Sequence, residues 1–371
     1  MSRKRVAVAM SGGVDSSLTA ALLKEAGYEV IGVTMQIWPS DKQAFGGCCG
    51  LGAVEDAKRV AYKLGIPHYV MNFRDIFAQR VITDFCREYS LGRTPNPCIR
   101  CNQYIKFDAL LERTKELDAD FMATGHYARI EQQANGYSLL KAVDLTKDQS
   151  YFLYTLGQRE LQHLLLPLGN LHKVEVRRLA AELGLPTANR RDSQDICFIP
   201  DNDYRSFIAK YIPIKSGDII DTEGKVLGKH NGLAQYTVGQ RQGLGLASNE
   251  RLYVLRFDAA NNRLVVGTKD QLLSNRLFAS KLSWVSGKAP QEPINITAKI
   301  RYKSPEVAAK LHLDDRVAEV NLHQPQRAIA PGQAVVFYQG DAVLGGGTIE
   351  DRVVEGEKPK GESKRGEASL I

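Results

Sequence analysis

No apolar run in the 371-residue chain approaches the ~20 residues that a membrane-spanning helix needs, so no such span is expected. The opening residues, MSRKRVAVAM, carry basic groups. Their apolar part is only a strand long and runs straight into a glycine-rich loop, so a signal peptide is not expected either. Six cysteines are too few and too scattered for a disulfide framework; they suit a cytosolic protein whose thiols are catalytic or metal-binding. A zinc knuckle lacks its ligands, because Cys48 and Cys49 are adjacent while Cys86 and Cys197 stand alone. Internal repeats are absent as well.

What is present fits a globular protein of two or three domains, with 43% hydrophobic and 25% charged residues. A net charge of +7 favours an anionic partner without identifying one. From the start to about Asp201 the text alternates strands and helices. Strand candidates are VAVAM, Val30 to Gln36, HYVMN and FMATG; helical stretches are 16–26, 53–64, 76–89, 105–117 and 172–183. This pattern predicts an α/β fold with a doubly wound parallel sheet. Beyond it, Gly, Asn and Asp clusters mark a small central domain. From Ser274, short β-prone segments predict a C-terminal β-barrel or sandwich. The expected units are 1–202, 203–273, 274–356 and a polar, disordered tail, 357–371.

The most informative stretch is RVAVAMSGGVDSS, residues 5–17. A buried strand leads into two glycines and then a helix, which together make an anion cradle of open backbone N–H groups. It lacks the final Lys of GxxxxGK[ST] and the spacing of GxGxxG. The order SGGVDSS resembles instead the PP-loop of enzymes that cleave ATP to AMP and pyrophosphate. That resemblance implies phosphate contacts from Ser11, Gly12, Gly13, Asp15 and Ser16.

A second informative stretch is GRTPNPCIRCNQYIKF, residues 92–107. Pro95 and Pro97 stiffen the loop that presents Cys98, and Cys101 lies near a helix start with Arg93 and Arg100 close in sequence. That setting predicts a reactive thiol. The CxxC also fits a metal site or a redox pair. Cys86 reads as a buried, inert cysteine. Cys197, in RRDSQDICFIP, is flanked by Ile196 and Phe198 and says little alone. The Gly-flanked pair Cys48–Cys49 reads as part of a flexible linker.

These motifs occur in order with GHYAR (125–129), KDQSYFLY (147–154), TVGQRQGLG (237–245), Arg301-Tyr302, PGQ (331–333) and LGGG (344–347). Taken together they resemble the tRNA-specific 2-thiouridylase family, MnmA, over all but the tail. The resemblance implies ATP-dependent 2-thiolation of the wobble uridine in tRNAs for Glu, Gln and Lys, in the cytoplasm, with Mg2+. It assigns ATP contacts to Ala9, Met10, Ser11, Gly12, Gly13, Val14, Asp15, Ser16, Met35 and Gly125. A persulfide on Cys197 would deliver sulfur and Cys101 would resolve it, leaving a Cys101–Cys197 disulfide. Asn96, Pro97 and Cys98 correspond to the contact with the target base. His126, Lys147, Asp148, Gln149, Arg301, Tyr302 and Gln333 correspond to further tRNA contacts. A cysteine desulfurase or sulfur-relay protein is implied as persulfide donor.

Some members of the family carry Asp where this chain has Cys98. Three thiolates, Cys98, Cys101 and Cys197, would suffice for an iron–sulfur cluster with one open iron. The persulfide route is preferred because no compact cluster motif is present. Two competing readings remain at this point, a PP-loop synthetase acting on a small molecule and a non-catalytic tRNA-binding protein. Loss of thiolation on replacing either Cys101 or Cys197 separates both from the sulfurtransferase.

Overall fold

The computed structural model describes residues 3–37, 51–192, 196–199, 203–247, 250–291, 293–314 and 316–351. Cys48, Cys49 and the tail from Glu357 lie outside the described residues. The first strands are β1 (Arg5–Ala9), β2 (Glu29–Gln36), β3 (His68–Asn72) and β4 (Phe121–Ala123). A hairpin of β5 (Ala128–Gln133) and β6 (Gly136–Lys141) follows, then the two-residue β7 (Leu164–Leu165). Sheet order is β3-β2-β1-β4-β7, with every pairing parallel.

Side chains on β1 alternate between two apolar layers, as the period of a strand requires. Val6 and Val8 join Leu18, Val60 and Val176 on one face, while Ala7 joins Ile31, Phe77 and Met122 on the other. Both faces are therefore covered, which explains why β1 reads as an unbroken apolar run. The strand order turns back between β1 and β4, and such a switch point is where open α/β sheets hold ligands.

Next come β8 (Gly217–Ile220), β9 (Val226–His230), β10 (Tyr253–Asp258) and β11 (Arg263–Gly267), in the order β10-β11-β8-β9. Ile219, Val254, Leu264 and Val266 form the core of this central module. The barrel is built from β12 (Leu273–Trp284), β13 (Ile294–Lys299), β14 (Val307–Asp314), β15 (Val317–Arg327), β16 (Ala334–Gln339) and β17 (Ala342–Ile349). Long β12 breaks register twice; its first part pairs with β15 and its second with β17, which closes the six strands. Bulges of this kind bend a strand enough to turn a barrel corner. The hairpin β5–β6 extends the same sheet, with Leu140 opposite Ala342.

The barrel also clamps the loop ahead of Cys98. Arg93 reaches Glu88 at 2.7 Å and Glu350 at 2.5 Å, and all three side chains are largely buried. Thr94 N–H donates to the Pro331 carbonyl at 2.8 Å, and Gln333 Nε2 donates to the Thr94 carbonyl at 2.9 Å.

Candidate active site

The phosphate loop is shaped by its own serines. Ser11 N–H donates to Ser16 Oγ at 3.1 Å, and Ser17 Oγ donates to the Gly13 carbonyl at 2.8 Å. Gly12 has φ +70°, and a Cβ there would lie 2.3 Å from the Ala53 carbonyl oxygen. Gly13 caps the helix Val14–Glu25 without any side-chain bond to the first-turn amides. Those amides and the helix dipole suit an anion. Gly125, just after β4, packs on the same turn: a Cβ there would sit 2.8 Å from Asp15 C and 2.9 Å from Ser16 N. Ala9 ends β1, Met10 N–H donates to the Val33 carbonyl at 2.8 Å, and half-buried Met35 pairs with Met71 near the end of β2. The ten candidate nucleotide residues thus line the carboxyl edge of three adjacent strands.

Cys98 and Cys101 stand at the start of a helical run, 97–115, whose middle, Cys101–Leu110, is wound as π-helix. Asn96 Oδ1 caps it, accepting from Cys98 N–H at 3.2 Å and Ile99 N–H at 3.4 Å, with Pro97 in the first helical position. Pro97 is buried, Cys98 exposed and Cys101 half-buried. Cys197 is also half-buried, held by its neighbour Phe198, whose ring packs edge-on against Phe85 and Phe77. Cys101 and Cys197 pack against the same apolar cluster. Arg93 is committed to Glu88 and Glu350, and Arg100 donates to Asp84 at 3.2 Å, so both cations already face carboxylates. Among the described residues no group of three or more His, Cys, Asp or Glu side chains is placed to hold a metal ion. Cys98, Cys101 and Cys197 are therefore not gathered as a three-thiolate set.

The remaining candidates are mostly engaged within the fold. Asp148 is buried and accepts from Ala142 N–H at 3.0 Å and Ser150 Oγ at 2.8 Å. Gln149 Oε1 accepts from Tyr127 N–H at 2.9 Å. Lys147 Nζ donates to Asp192 at 2.9 Å. His126 is buried between Thr124 (2.7 Å to Nδ1) and Lys106 (3.4 Å to Nε2). Burial, helped by the Lys106 charge, holds this imidazole well below the usual histidine range and so neutral. Exposed Arg301 donates to the Arg327 carbonyl at 2.6 Å. Tyr302 lies against Phe152 with ring centroids 4.3 Å apart.

A cluster of charges joins these parts. Lys173 Nζ donates to the two Asp15 oxygens at 2.6 and 2.8 Å and lies 3.0 Å from Asp192. Asp192 also receives Arg177 at 2.6 Å. Burial opposes ionisation of Asp192, but hydrogen bonds from Lys147 and Lys173 outweigh it and hold the carboxyl below its ordinary range. Tyr127 O–H donates to Asp15 at 2.7 Å, and burial plus the Asp15 charge push its phenol well above the tyrosine range.

Sequence comparison bears on all of this. Residues 4–201 match a family described as a tRNA methyl transferase HUP domain. Residues 205–268 match a tRNA methyl transferase PRC-barrel domain and 274–349 an aminomethyltransferase β-barrel domain. The tRNA-specific 2-thiouridylase MnmA of Clostridium acetobutylicum is 49% identical, over 94% of this chain and 99% of its own. The proteins of that name from Geotalea uraniireducens and Heliobacterium modesticaldum are 53% and 52% identical, over 95% and 97% of this chain and 96% and 99% of theirs. This chain belongs to the tRNA-specific 2-thiouridylase family. The methyl transferase wording of the domain descriptions and the thiouridylase name differ; identity near one half over the full length favours the second.

Two residues of this 2-thiouridylase family member had escaped sequence reasoning. Lys173 is separated from Asp15 by 158 positions, and no local pattern marks either it or Asp192 as belonging to the phosphate loop. The loop itself fits a nucleotide polyphosphate: the first-turn amides have no side-chain cap, and backbone packed against Gly12 and Gly125 leaves room for no side chain at either position of the turn.

Proposed function

We propose that this chain performs ATP-dependent 2-thiolation of the wobble uridine of tRNA for Glu, Gln and Lys. The supporting observation is the uncapped helix start behind Gly12-Gly13, together with two cysteines, Cys101 and Cys197, packed on one apolar cluster. Ala9 to Ser16 and Gly125 bind the polyphosphate, with Met35 nearby at the end of β2. The uridine 2-carbonyl oxygen attacks the α-phosphate, forming a C2–O–AMP ester and releasing pyrophosphate. Activation is needed because a carbonyl oxygen is a poor leaving group. Asp15 is the loop carboxylate that would hold Mg2+, which when bound offsets phosphate charge.

Sulfur arrives as a persulfide on Cys197, supplied by a cysteine desulfurase or sulfur-relay protein. Its terminal sulfur attacks C2 and AMP leaves. The Cys101 thiolate then attacks the Cys197 sulfur, breaking the S–S bond to release 2-thiouridine and leave a Cys101–Cys197 disulfide. An external thiol reductant restores the dithiol. The uridine must leave the anticodon stack to reach the site. Asn96, Pro97 and Cys98 border the base, and Lys147, Arg301 and Tyr302 lie among the tRNA contacts.

Nucleoside mass spectrometry decides the matter. Unmodified tRNA incubated with the protein, ATP, Mg2+ and a persulfide source is expected to gain 2-thiouridine. AMP and pyrophosphate formation without tRNA thiolation would refute the reading.

A further inference from the structure

The helical run that carries Cys98 and Cys101 also carries Lys106. Its residues Ile105, Phe107 and Leu110 pack with Ala7 of β1 on one face of the parallel sheet. Val14 and Leu18, on the helix behind the phosphate loop, pack with Val6 and Val8 on the other. The two helices therefore wall the crevice at the switch point between β1 and β4 from opposite sides. The run 97–115 leads down to the amino edge of the sheet, where Arg5 Nη1 donates to the Leu117 carbonyl at 3.0 Å. Helical side chains lean toward their own N-terminus, so Lys106 reaches back up toward the carboxyl edge. There its Nζ lies 3.4 Å from Nε2 of His126, the residue after Gly125, which itself packs on Asp15 and Ser16.

Lys106 is half-buried, yet among the described residues it pairs with no carboxylate. An ammonium has only donors, so His126 Nε2 accepts and Nδ1–H is left for Thr124 Oγ1 at 2.7 Å. A neutral ring at that distance is weak compensation for a cation drawn out of water, and an anion in the crevice would be a far stronger partner. Hydrogen bonds in the π-wound segment run between residues five apart, which sets Cys101 and Lys106 about one turn apart on the same side. One helix thus presents a thiol and an uncommitted cation to the same crevice.

We propose that Lys106 is a catalytic residue that contacts the α-phosphate of the nucleotide while the uridine is adenylated. The pyrophosphate end belongs on the first-turn amides behind Gly12-Gly13, on one wall, and the base belongs beside Cys98 on the other. The phosphorus that joins them lies between, on the side from which Lys106 projects. As the uridine 2-carbonyl oxygen attacks, negative charge builds on the non-bridging α-oxygens, and an ammonium held there lowers the barrier. The same ammonium stays beside the phosphate of the C2–O–AMP ester and favours its departure when sulfur arrives. No proton leaves Lys106 in either step. The inference rests on the 2-thiolation reading given above and names a residue that acts in its first half.

The test uses the full chain, an unmodified tRNA transcript and ATP with Mg2+. The persulfide source is omitted, so adenylation is read alone as single-turnover pyrophosphate release. At saturating ATP, Lys106→Met and Lys106→Gln should each slow release about a hundred-fold, the usual effect of removing one oxyanion donor. Affinity for ATP and for tRNA, from equilibrium binding, should stay within about five-fold of wild type, because the contact strengthens at the transition state. Glutamine keeps a donor toward His126, so it would largely replace a lysine whose role was structural. Lys106→Arg, which keeps the charge, should be faster than either. A wild-type rate in Lys106→Gln or Lys106→Met overturns the proposal, as does a loss confined to ATP affinity. Slow labelling of buried Cys86 by iodoacetamide reports that a variant is folded; if Lys106→Met is not, Lys106→Gln decides. Wild-type protein that releases pyrophosphate no faster than these variants refutes this inference alone. Wild-type protein that releases none with tRNA refutes the functional reading and this inference with it.

Discussion

Thiol chemistry in this chain is set by position. Cys86 is buried on the helix Thr83–Ser90, and burial pushes its thiol from 9.0 up to about 11. At pH 8 that cuts its thiolate fraction about a hundred-fold, since each pKa step is a factor of ten below both values. Cys98 is exposed, so limited iodoacetamide treatment should label it at least about ten-fold faster than Cys86, as peptide mapping would show. Cys101→Ala and Cys197→Ala should each abolish 2-thiouridine formation and leave tRNA affinity, read by filter binding, nearly intact. Thiolation retained in either variant would refute its role. His126 adds a pH effect. Its folded-state pKa lies below the unfolded value near 6.5, so below pH 6.5 the unfolded chain binds more protons. The stability held above that point is therefore lost as pH falls, and Tm should drop between pH 7 and 5. The drop should be shallower in His126→Gln, which cannot titrate.

Among the elements, the phosphate loop is the most constrained. An alanine at Gly12 would be forced into left-handed backbone at about 1–2 kcal/mol, before counting the clash with Ala53. Gly12→Ala should lower the free energy of unfolding by at least that amount and weaken ATP binding at least about ten-fold, measurable by calorimetry. This element was legible in the sequence, because an apolar strand, two glycines and a helical pattern are all local signals. The helical run 97–115 was legible only from residue 105. Asn96-Pro97 is a cap followed by a first-turn proline, yet the prolines of the loop read equally well as extended chain. The hairpin β5–β6 went unread: its two-residue loop is Ala134-Asn135, and Gly136 already opens β6 opposite Gln133, so the Asn-Gly pair does not occupy the centre of the turn where that signal is diagnostic. β8 to β11 hid among Gly, Asn and Asp clusters that mark turns more loudly than the short strands between them. Of the candidate site, the nucleotide and sulfur residues carried sequence signals. The Asp15–Lys173–Asp192 bridge did not, since an ion pair across 158 positions leaves no periodicity to find.

At the scale of the whole molecule, the barrel is structurally bound to the loop ahead of Cys98. Arg93 balances Glu88 and Glu350, and removing it would strand two largely buried carboxylates. Breaking such a buried pair costs about 3–5 kcal/mol, so Arg93→Ala should shift the urea midpoint strongly while exposed Arg159→Ala barely moves it. The net charge of +7 and the anionic substrate imply a steep fall of tRNA affinity with salt, readable as the slope of log K against log salt concentration.

The β5–β6 hairpin also imposes an order of events during translation. Leu140 meets Ala342, 202 positions later (342 − 140), and Lys141 bonds to Asp341 and Glu306. As the polypeptide leaves the ribosome, the nucleotide-binding half therefore emerges with one sheet edge unmatched and must wait for β17, the last strand of the described residues. Premature termination anywhere before β17 would leave that edge bare, which gives the cell's chaperones a long interval in which to find it.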